Sequence, residues 1–135
     1  MSDQLYQERI VALAKAKTGA GKLAAPTKSA RRDNPLCGDR VSIDLRLDGD
    51  GRIAEIAHQV RGCLLCQASA SALSSVAVGR DRAGIAEIRH EAEKAIGREM
   101  GNPHEPFTAF APVRAYRSRQ ECVLLPFEAL QDALS

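Results

Sequence analysis

The sequence predicts an α+β domain, in which a small antiparallel sheet is followed by helices. Apolar and polar residues alternate strictly over Val41–Leu47, which is typical of a strand with one buried face. The turn sequence Asp48–Gly51 comes directly afterwards and connects antiparallel strands. The segments that follow the sheet carry apolar residues at helical spacing. Strands and helices are therefore segregated along the chain, as in the α+β class.

The first 33 residues are predicted to form one helix and one loop. The apolar positions of Leu5–Ala16 suit a helix. Residues 17–33 combine glycine, proline and serine with several basic residues, and we expect them to form a mobile loop.

The sheet is predicted as an antiparallel meander of three strands, over Val41–Leu47, Arg52–Ala57 and His58–Gly62. Val41, Ile43, Leu45 and Leu47 face one side of the first strand. The ends of this meander bring Cys37 and Cys63 within reach of each other.

Three helices are predicted after the sheet, over Cys66–Val78, Asp81–Glu99 and Pro112–Leu125. Gly79 suits the C-cap of the first helix, and the Gly-Asn-Pro sequence at 101–103 ends the second. Pro126 is expected in the first turn of a last short helix that ends near Leu134.

Length and charge exclude several functional classes. A chain of 135 residues has the size of one domain, which we expect to span residues 1–135. Its formal net charge of +2 argues against a nucleic-acid binder held mainly by charge. No apolar run approaches the roughly 20 residues of a membrane helix, and the charged N-terminal segment does not resemble a signal peptide. We therefore expect a cytoplasmic protein with neither nucleic acid nor a membrane as partner.

The chain contains four cysteines: Cys37, Cys63, Cys66 and Cys122. Nothing in the sequence indicates export, so a disulfide framework is not expected. A zinc ribbon needs two CxxC pairs and only one is present, while a thioredoxin-type CxxC would follow a strand of a βαβ unit, which is not predicted. The remaining alternative without chemistry is four small buried thiols.

The residues around Cys37 and Cys63 suit metal binding or thiolate chemistry, although each stretch also has an ordinary structural explanation. Gly38 lets the backbone turn so that Cys37 and Asp39 converge, and a thiolate with a carboxylate suits zinc or iron. An Asx turn without metal explains this stretch equally well. Cys63 precedes a predicted helix, whose dipole favours a thiolate, although an ordinary strand-to-helix turn fits too.

Arg119 lies three residues before Cys122 and shares its face if this segment is helical. It would pair with Asp39 or favour the thiolate of Cys122; the alternative is a solvated arginine beside a core cysteine. The three histidines are not spaced against a cysteine in a finger pattern, and we expect packed or surface roles for His58, His90 and His104. The serines of residues 69–71 lack a His/Asp partner set, which argues against hydrolase chemistry.

Taken together, three stretches resemble one family. They are Asn-Pro-x-Cys-Gly-Asp at 34–39, Gly-Cys-x4-Ala-Ser-Ala-Ser at 62–71, and Cys122 followed by a leucine-rich segment. In this order they resemble the U-type iron–sulfur cluster assembly proteins, which include IscU, the NifU N-terminal domain and SufU.

The resemblance implies a SufE/NifU-like fold, with a three-stranded antiparallel sheet packed against a layer of helices. It also implies a site formed by Cys37, Asp39, Cys63 and Cys122, which holds Zn²⁺ or a nascent 2Fe–2S cluster. Sulfur arrives in this family as a persulfide from a PLP-dependent cysteine desulfurase. A downstream scaffold or an apo-protein then receives the product.

The subtype resembles SufU more than IscU. The 58 residues between Cys63 and Cys122, together with Arg119, match the SufU type, in which Arg119 would support a thiolate or an exchange of ligands. The Isc chaperone motif Leu-Pro-Pro-Val-Lys is absent, and Glu121 replaces the histidine before the last cysteine. The persulfide acceptor corresponds to Cys37 in the SufU type and to Cys122 in the Isc type.

Two questions stay open at this point: the function of the chain and the role of Cys66. Three functions fit the sequence, namely a scaffold rather than a classical enzyme, a zinc-dependent sulfurtransferase that relays sulfur to a separate scaffold, and a structural zinc module that binds proteins. Cys66 occupies a position where the family usually has another residue. It is an additional ligand, a resolving thiol for a persulfide on Cys63, or a packed core thiol.

Overall fold

A computed structural model describes residues 2–35 and 38–135 of the chain. In these ranges the elements follow one another as α1 (Ser2–Ala16), β1 (Lys28–Asn34), β2 (Asp39–Leu47), β3 (Ile53–Arg61), α2 (Leu64–Ala77), α3 (Arg82–Ala95), a 3-10 helix (Phe107–Ala115) and α4 (Arg117–Leu134). The predicted first helix is confirmed and begins three residues earlier than expected, at Ser2.

The three strands form one sheet in the order β1–β2–β3, with both neighbouring pairs antiparallel. The alternation in β2 is confirmed from Val41 to Leu45, because Val41, Ile43 and Leu45 are fully buried. Leu47 packs against the core but is only partly buried, after a register shift between Arg46 and Leu47. The prediction of two strands over Arg52–Ala57 and His58–Gly62 is wrong, because both segments belong to β3. No glycine, proline or other turn residue interrupts residues 53–61, so the backbone has no place to reverse.

The remaining strand of the sheet, β1, forms where the sequence predicts the end of a loop. Its side chains are mostly exposed and polar, so no apolar alternation marks it as a strand. It is held by pairing with β2 and by an ion pair in which Arg32 Nη1 lies 2.9 Å from Asp132 Oδ2 of α4. The loop prediction is therefore wrong from Lys28 onward, and mobility stays a prediction for residues 17–27.

Two of the helix predictions also need correction. The second long helix, α3, ends at Ala95 rather than at Glu99, because Gly97 adopts a left-handed conformation with φ of 87°. The predicted break at Pro126 is wrong, since α4 continues through this residue to Leu134. Almost every residue of α4 from Cys122 to Leu130 is buried, and this burial offsets the roughly 3 kcal/mol cost of a proline inside a helix.

The helices provide the layer that covers the sheet. α4 packs against β1 and β2, and α2 contacts both α1 and α4. The core combines side chains of both layers, among them Ile43, Leu45, Leu73, Ile85, Phe110 and Leu124. The predicted α+β class, with a three-stranded antiparallel sheet, is confirmed.

Candidate metal centre

The start of β2 and the start of α2 meet at Asp39 and Cys63. Asp39 is the first residue of β2 and is 4% exposed, and Cys63 is the half-buried N-cap of α2. Oδ1 of Asp39 accepts the backbone N–H of Cys63 at 3.1 Å, and Oδ2 accepts the thiol of Cys63 at 3.3 Å. The carboxylate is therefore buried beside a thiol and at a helix N-terminus, where negative charge is stabilised.

Gly62 allows this close approach. A Cβ atom at residue 62 would lie 2.5 Å from Oδ1 and 2.6 Å from Cγ of Asp39. The backbone of Gly62 is also held in place, because its carbonyl accepts a hydrogen bond from Gln67 Nε2 at 3.0 Å. A side chain at residue 62 would therefore overlap with Asp39, which explains the glycine before Cys63. The sequence position alone does not reveal this steric requirement.

The third ligand candidate, Cys122, lies in the second turn of α4 and is 1% exposed. α2 holds this turn through Ser69, whose hydroxyl donates to the carbonyl oxygen of Val123 at 2.5 Å. Ser69 is fully buried, as are its neighbours Ala68 and Ala70. The small side chains of α2 therefore let α4 approach closely enough for Cys122 to reach the end of the sheet.

Two residues that sequence analysis did not single out fix the same part of α4. Gln120 is buried, donates from Nε2 to the carbonyl of Ile96 at 3.0 Å and accepts from Nε of Arg98 at 2.9 Å. Arg98 also donates to Oε1 of Glu121 at 2.8 Å. No motif marks this arrangement, because the partners are more than 20 residues apart and their contact appears only in the fold.

Asp39, Cys63 and Cys122 converge. One carboxylate oxygen and the two Sγ atoms all lie within 4.8 Å of one another. Two thiols and a carboxylate match the donors that zinc and the iron of iron–sulfur clusters accept, so the residues fit either group. A tetrahedral ion needs a fourth ligand. The predicted one, Cys37, lies outside the described residues.

The sequence also predicts Cys66 and Arg119 near the metal site, but they lie outside the group of Asp39, Cys63 and Cys122. Cys66 is fully buried in the hydrophobic core and is not a member of the Asp39–Cys63–Cys122 group, which favours the packed-thiol alternative among its three proposed roles. Arg119 lies in α4 one turn before Cys122, and its side chain is exposed. Across the described residues, no hydrogen bond or ion pair joins this guanidinium to Asp39.

The histidines have the packed and surface placements expected of them. His58 is buried in β3, and its Nε2–H donates to the carbonyl of Thr18 at 2.8 Å. Burial lowers the pKa of His58, although the hydrogen bond to Thr18 acts in the opposite direction. His90 and His104 are exposed, and none of the three belongs to the group of thiols.

Comparison with protein families now adds an independent observation. The family model of the NifU-like N terminal domain matches residues 5–131. The chain belongs to this family. Asp39, Cys63 and Cys122 of this NifU-like domain all lie inside the matched range.

Curated relatives of this NifU-like chain carry related names. The bifunctional protein NifU/MnmA of Rubrobacter xylanophilus is 33% identical over 94% of the chain, which spans only 28% of that protein's length. The iron–sulfur cluster assembly scaffold protein IscU of Thermotoga maritima is 29% identical, over 96% of the chain and 92% of that protein. The zinc-dependent sulfurtransferase SufU of Bacillus subtilis is 26% identical, over 76% of the chain and 71% of that protein.

A solved structure shows the same fold. The putative iron–sulfur cluster assembly scaffold protein for the SUF system from Fervidobacterium islandicum superimposes with a TM-score of 0.86, at 30% identity and over all of both chains. The SufE/NifU-like architecture that the resemblance implied is therefore confirmed. Among the described residues, no helix has the length and apolar character needed to cross a membrane.

Proposed function

We propose that this NifU-like protein assembles iron–sulfur clusters, and that Cys37, Asp39, Cys63 and Cys122 hold either Zn²⁺ or a 2Fe–2S cluster as cargo. The observation that carries the proposal is the convergence of two thiols and one carboxylate within 4.8 Å. The names of the relatives in Thermotoga maritima and Bacillus subtilis support it. The proposed site needs reduced thiols, which supports action in the cytoplasm, where thiols stay reduced.

The mixed donor set suits a protein that must release what it holds. Thiolates are soft ligands with high affinity for iron–sulfur clusters and zinc. The carboxylate of Asp39 is a harder ligand, so it provides the weakest attachment in the group. The backbone N–H of Cys63 holds this carboxylate by a hydrogen bond when Asp39 is not a ligand.

Sulfur would be supplied by a PLP-dependent cysteine desulfurase that carries a persulfide. A thiolate of this chain attacks the terminal sulfur, a new S–S bond forms, and the desulfurase thiolate leaves, so the transfer involves no net oxidation. Cys37 and Cys122 are the two proposed acceptors. The 1% exposure of Cys122 counts against it as the first acceptor and therefore favours Cys37. A downstream scaffold or an apo-protein would receive the product.

A second function is favoured by Arg119. Its exposed guanidinium lies one helical turn from Cys122, in the arrangement that the SufU type implies. In a zinc-dependent sulfurtransferase, Arg119 would compensate the charge of a free thiolate or of Asp39, while sulfur is relayed to a separate scaffold.

Metal analysis of the purified protein, combined with anaerobic reconstitution by iron, cysteine and a desulfurase, tests these functions. We expect retained cluster absorbance for the scaffold. Zinc in the purified protein, with faster desulfurase turnover and no stable cluster, would identify the sulfurtransferase. Unfolding on chelation without either behaviour would contradict both and indicate a structural zinc module.

Cysteine variants sharpen this test. Cys63→Ala and Cys122→Ala should lose bound zinc or cluster, because each removes one thiolate from the group. Cys66→Ala is the matched control, since Cys66 is a buried thiol of the same helix that Cys63 caps. Metal content in Cys63→Ala equal to that in Cys66→Ala would contradict the assigned site.

Asp39→Ala distinguishes a scaffold from a sulfur relay. If the protein is a scaffold, loss of the most exchangeable ligand should lengthen the lifetime of the reconstituted cluster, measured as the decay of its visible absorbance under transfer to an apo-protein. A variant that loses its cluster faster than the unmodified protein would count against the scaffold function.

A further inference from the structure

A second group of metal-ligating side chains lies at the end of α3, separate from the thiol group. It consists of His90, Glu93 and Glu99, each of which offers one ligand atom, and these three atoms lie within 4.8 Å of one another. His90 Nδ1 lies 2.5 Å from Oε2 of Glu99 and 3.6 Å from Oε1 of Glu93. The metal-binding function proposed above uses none of these residues.

The backbone brings these side chains together by a defined turn. His90 and Glu93 are three residues apart on α3 and therefore share one face. After the helix ends, Gly97 adopts a φ of 87°, and the N–H of Arg98 donates to the carbonyl of Glu93 at 2.8 Å. This turn reverses the chain so that Glu99 lies beside His90.

Arg114 holds the turn in place. Its Nε donates to the carbonyl of Ala95 at 2.8 Å and its Nη2 to the carbonyl of Lys94 at 3.0 Å. A Cβ at residue 97 would lie 3.2 Å from Cγ of Arg114, so the arginine also packs directly over Gly97. The segment that carries Glu99 is thus anchored by side-chain and backbone contacts.

The donor set of this group suits a cation. One imidazole nitrogen and two carboxylate oxygens converge, and a divalent cation would displace the proton that joins His90 Nδ1 to Glu99. Arg89 lies 3.9 Å from Glu93, and Lys94 is engaged with Glu91 at 3.1 Å. A divalent cation between the two carboxylates would remove their repulsion.

We propose that His90, Glu93 and Glu99 bind a divalent cation at a second site, which accepts ions that combine imidazole and carboxylate ligands, such as Zn²⁺, Fe²⁺ or Mn²⁺. Ligand atoms around such an ion lie roughly 3 to 3.5 Å apart, so side-chain adjustments of less than about 1 Å would suffice. His90 is 58% exposed and Glu99 35%, which gives a free ion direct access and leaves positions for water.

Mn²⁺ is the probe that separates this site from the thiol group, because it prefers oxygen and nitrogen donors to thiolates. The full chain is titrated with Mn²⁺, and free ion is measured by electron paramagnetic resonance. We expect one ion per chain and at least about tenfold weaker binding in His90→Gln and in Glu99→Gln. In nuclear magnetic resonance spectra, Mn²⁺ should broaden the amide signals of residues 93–99 before that of Cys63.

Matched controls carry the same substitutions nearby. Glu87→Gln lies on an exposed position of α3, and His104→Gln removes an exposed imidazole outside the group. Both variants, and Asp39→Ala in the thiol group, should bind Mn²⁺ as the unmodified protein does. Unchanged binding in His90→Gln and Glu99→Gln, no binding by the unmodified protein, or loss of binding in Asp39→Ala would overturn the proposal. None of these outcomes depends on cluster assembly.

Discussion

The carboxylate of Asp39 accepts two hydrogen bonds from Cys63, and the residue that makes room for it is Gly62. The sequence marks the Gly-Cys pair at 62–63 as part of a family motif, but Asp39, the residue that requires a glycine here, lies 23 residues earlier in the chain. Local sequence therefore marks the glycine without revealing what it accommodates.

Gly62→Ala tests this steric role. The added methyl group would displace the Asp39 carboxylate, which would move one ligand and unpair the N–H of Cys63. We expect zinc affinity to fall about 10- to 100-fold, as for other residues that position metal ligands, measured by competition with a chromophoric chelator. Gly49→Ala is the control, because a Cβ at residue 49 meets no atom within 4 Å. Equal affinities in the two variants would contradict the role of Gly62.

Among the secondary-structure elements, predictability followed burial. The sequence predicts β2 because burial alternates from Val41 to Arg46, and this alternation produces the apolar pattern. The sequence does not predict β1, because its side chains are exposed and its pairing partners lie in β2, so nothing local favours a strand. The course of α4 through Pro126 likewise depends on packing, which overrides the preference of proline for the first turn.

The hydroxyl of Ser69 joins α2 to α4 by a buried hydrogen bond. Ser69→Ala should lower the free energy of unfolding by about 1–2 kcal/mol, because the Ser69 bond to the carbonyl of Val123 is lost inside the core. Urea denaturation measures the change. Ser75→Ala removes an exposed hydroxyl that bonds only within α2, to Ala72, and should change stability by less than about 0.5 kcal/mol. Similar losses in both variants would show that the contact contributes little.

At the scale of the whole molecule, His58 lies where sheet, loop and helix meet. The loop of residues 17–27 is hydrogen-bonded to the backbone of His58 in β3. The N–H of His58 donates to the carbonyl of Gly19, and the N–H of Gly21 donates to the carbonyl of His58, each at 2.8 Å. Ser74 of α2 lies against Gly19 on the same side. Within the described part of the chain, His58 Nδ1 and Ser74 Oγ are buried without a hydrogen-bond partner.

The stability of the molecule should therefore depend on the protonation of His58. Burial lowers the pKa of His58 below its ordinary value of 6.5, so in the window between these values the unfolded chain binds a proton that the folded chain does not. The contribution of His58 to the free energy of unfolding should fall as the pH falls from about 6.5 to the folded pKa, and stay level outside this window. Urea denaturation between roughly pH 5 and pH 8 measures this dependence, which should flatten in His58→Gln. The control is His104→Gln, whose side chain is 82% exposed and which should follow the unmodified protein. A His58→Gln profile parallel to that of the unmodified protein would show that another group causes the pH dependence.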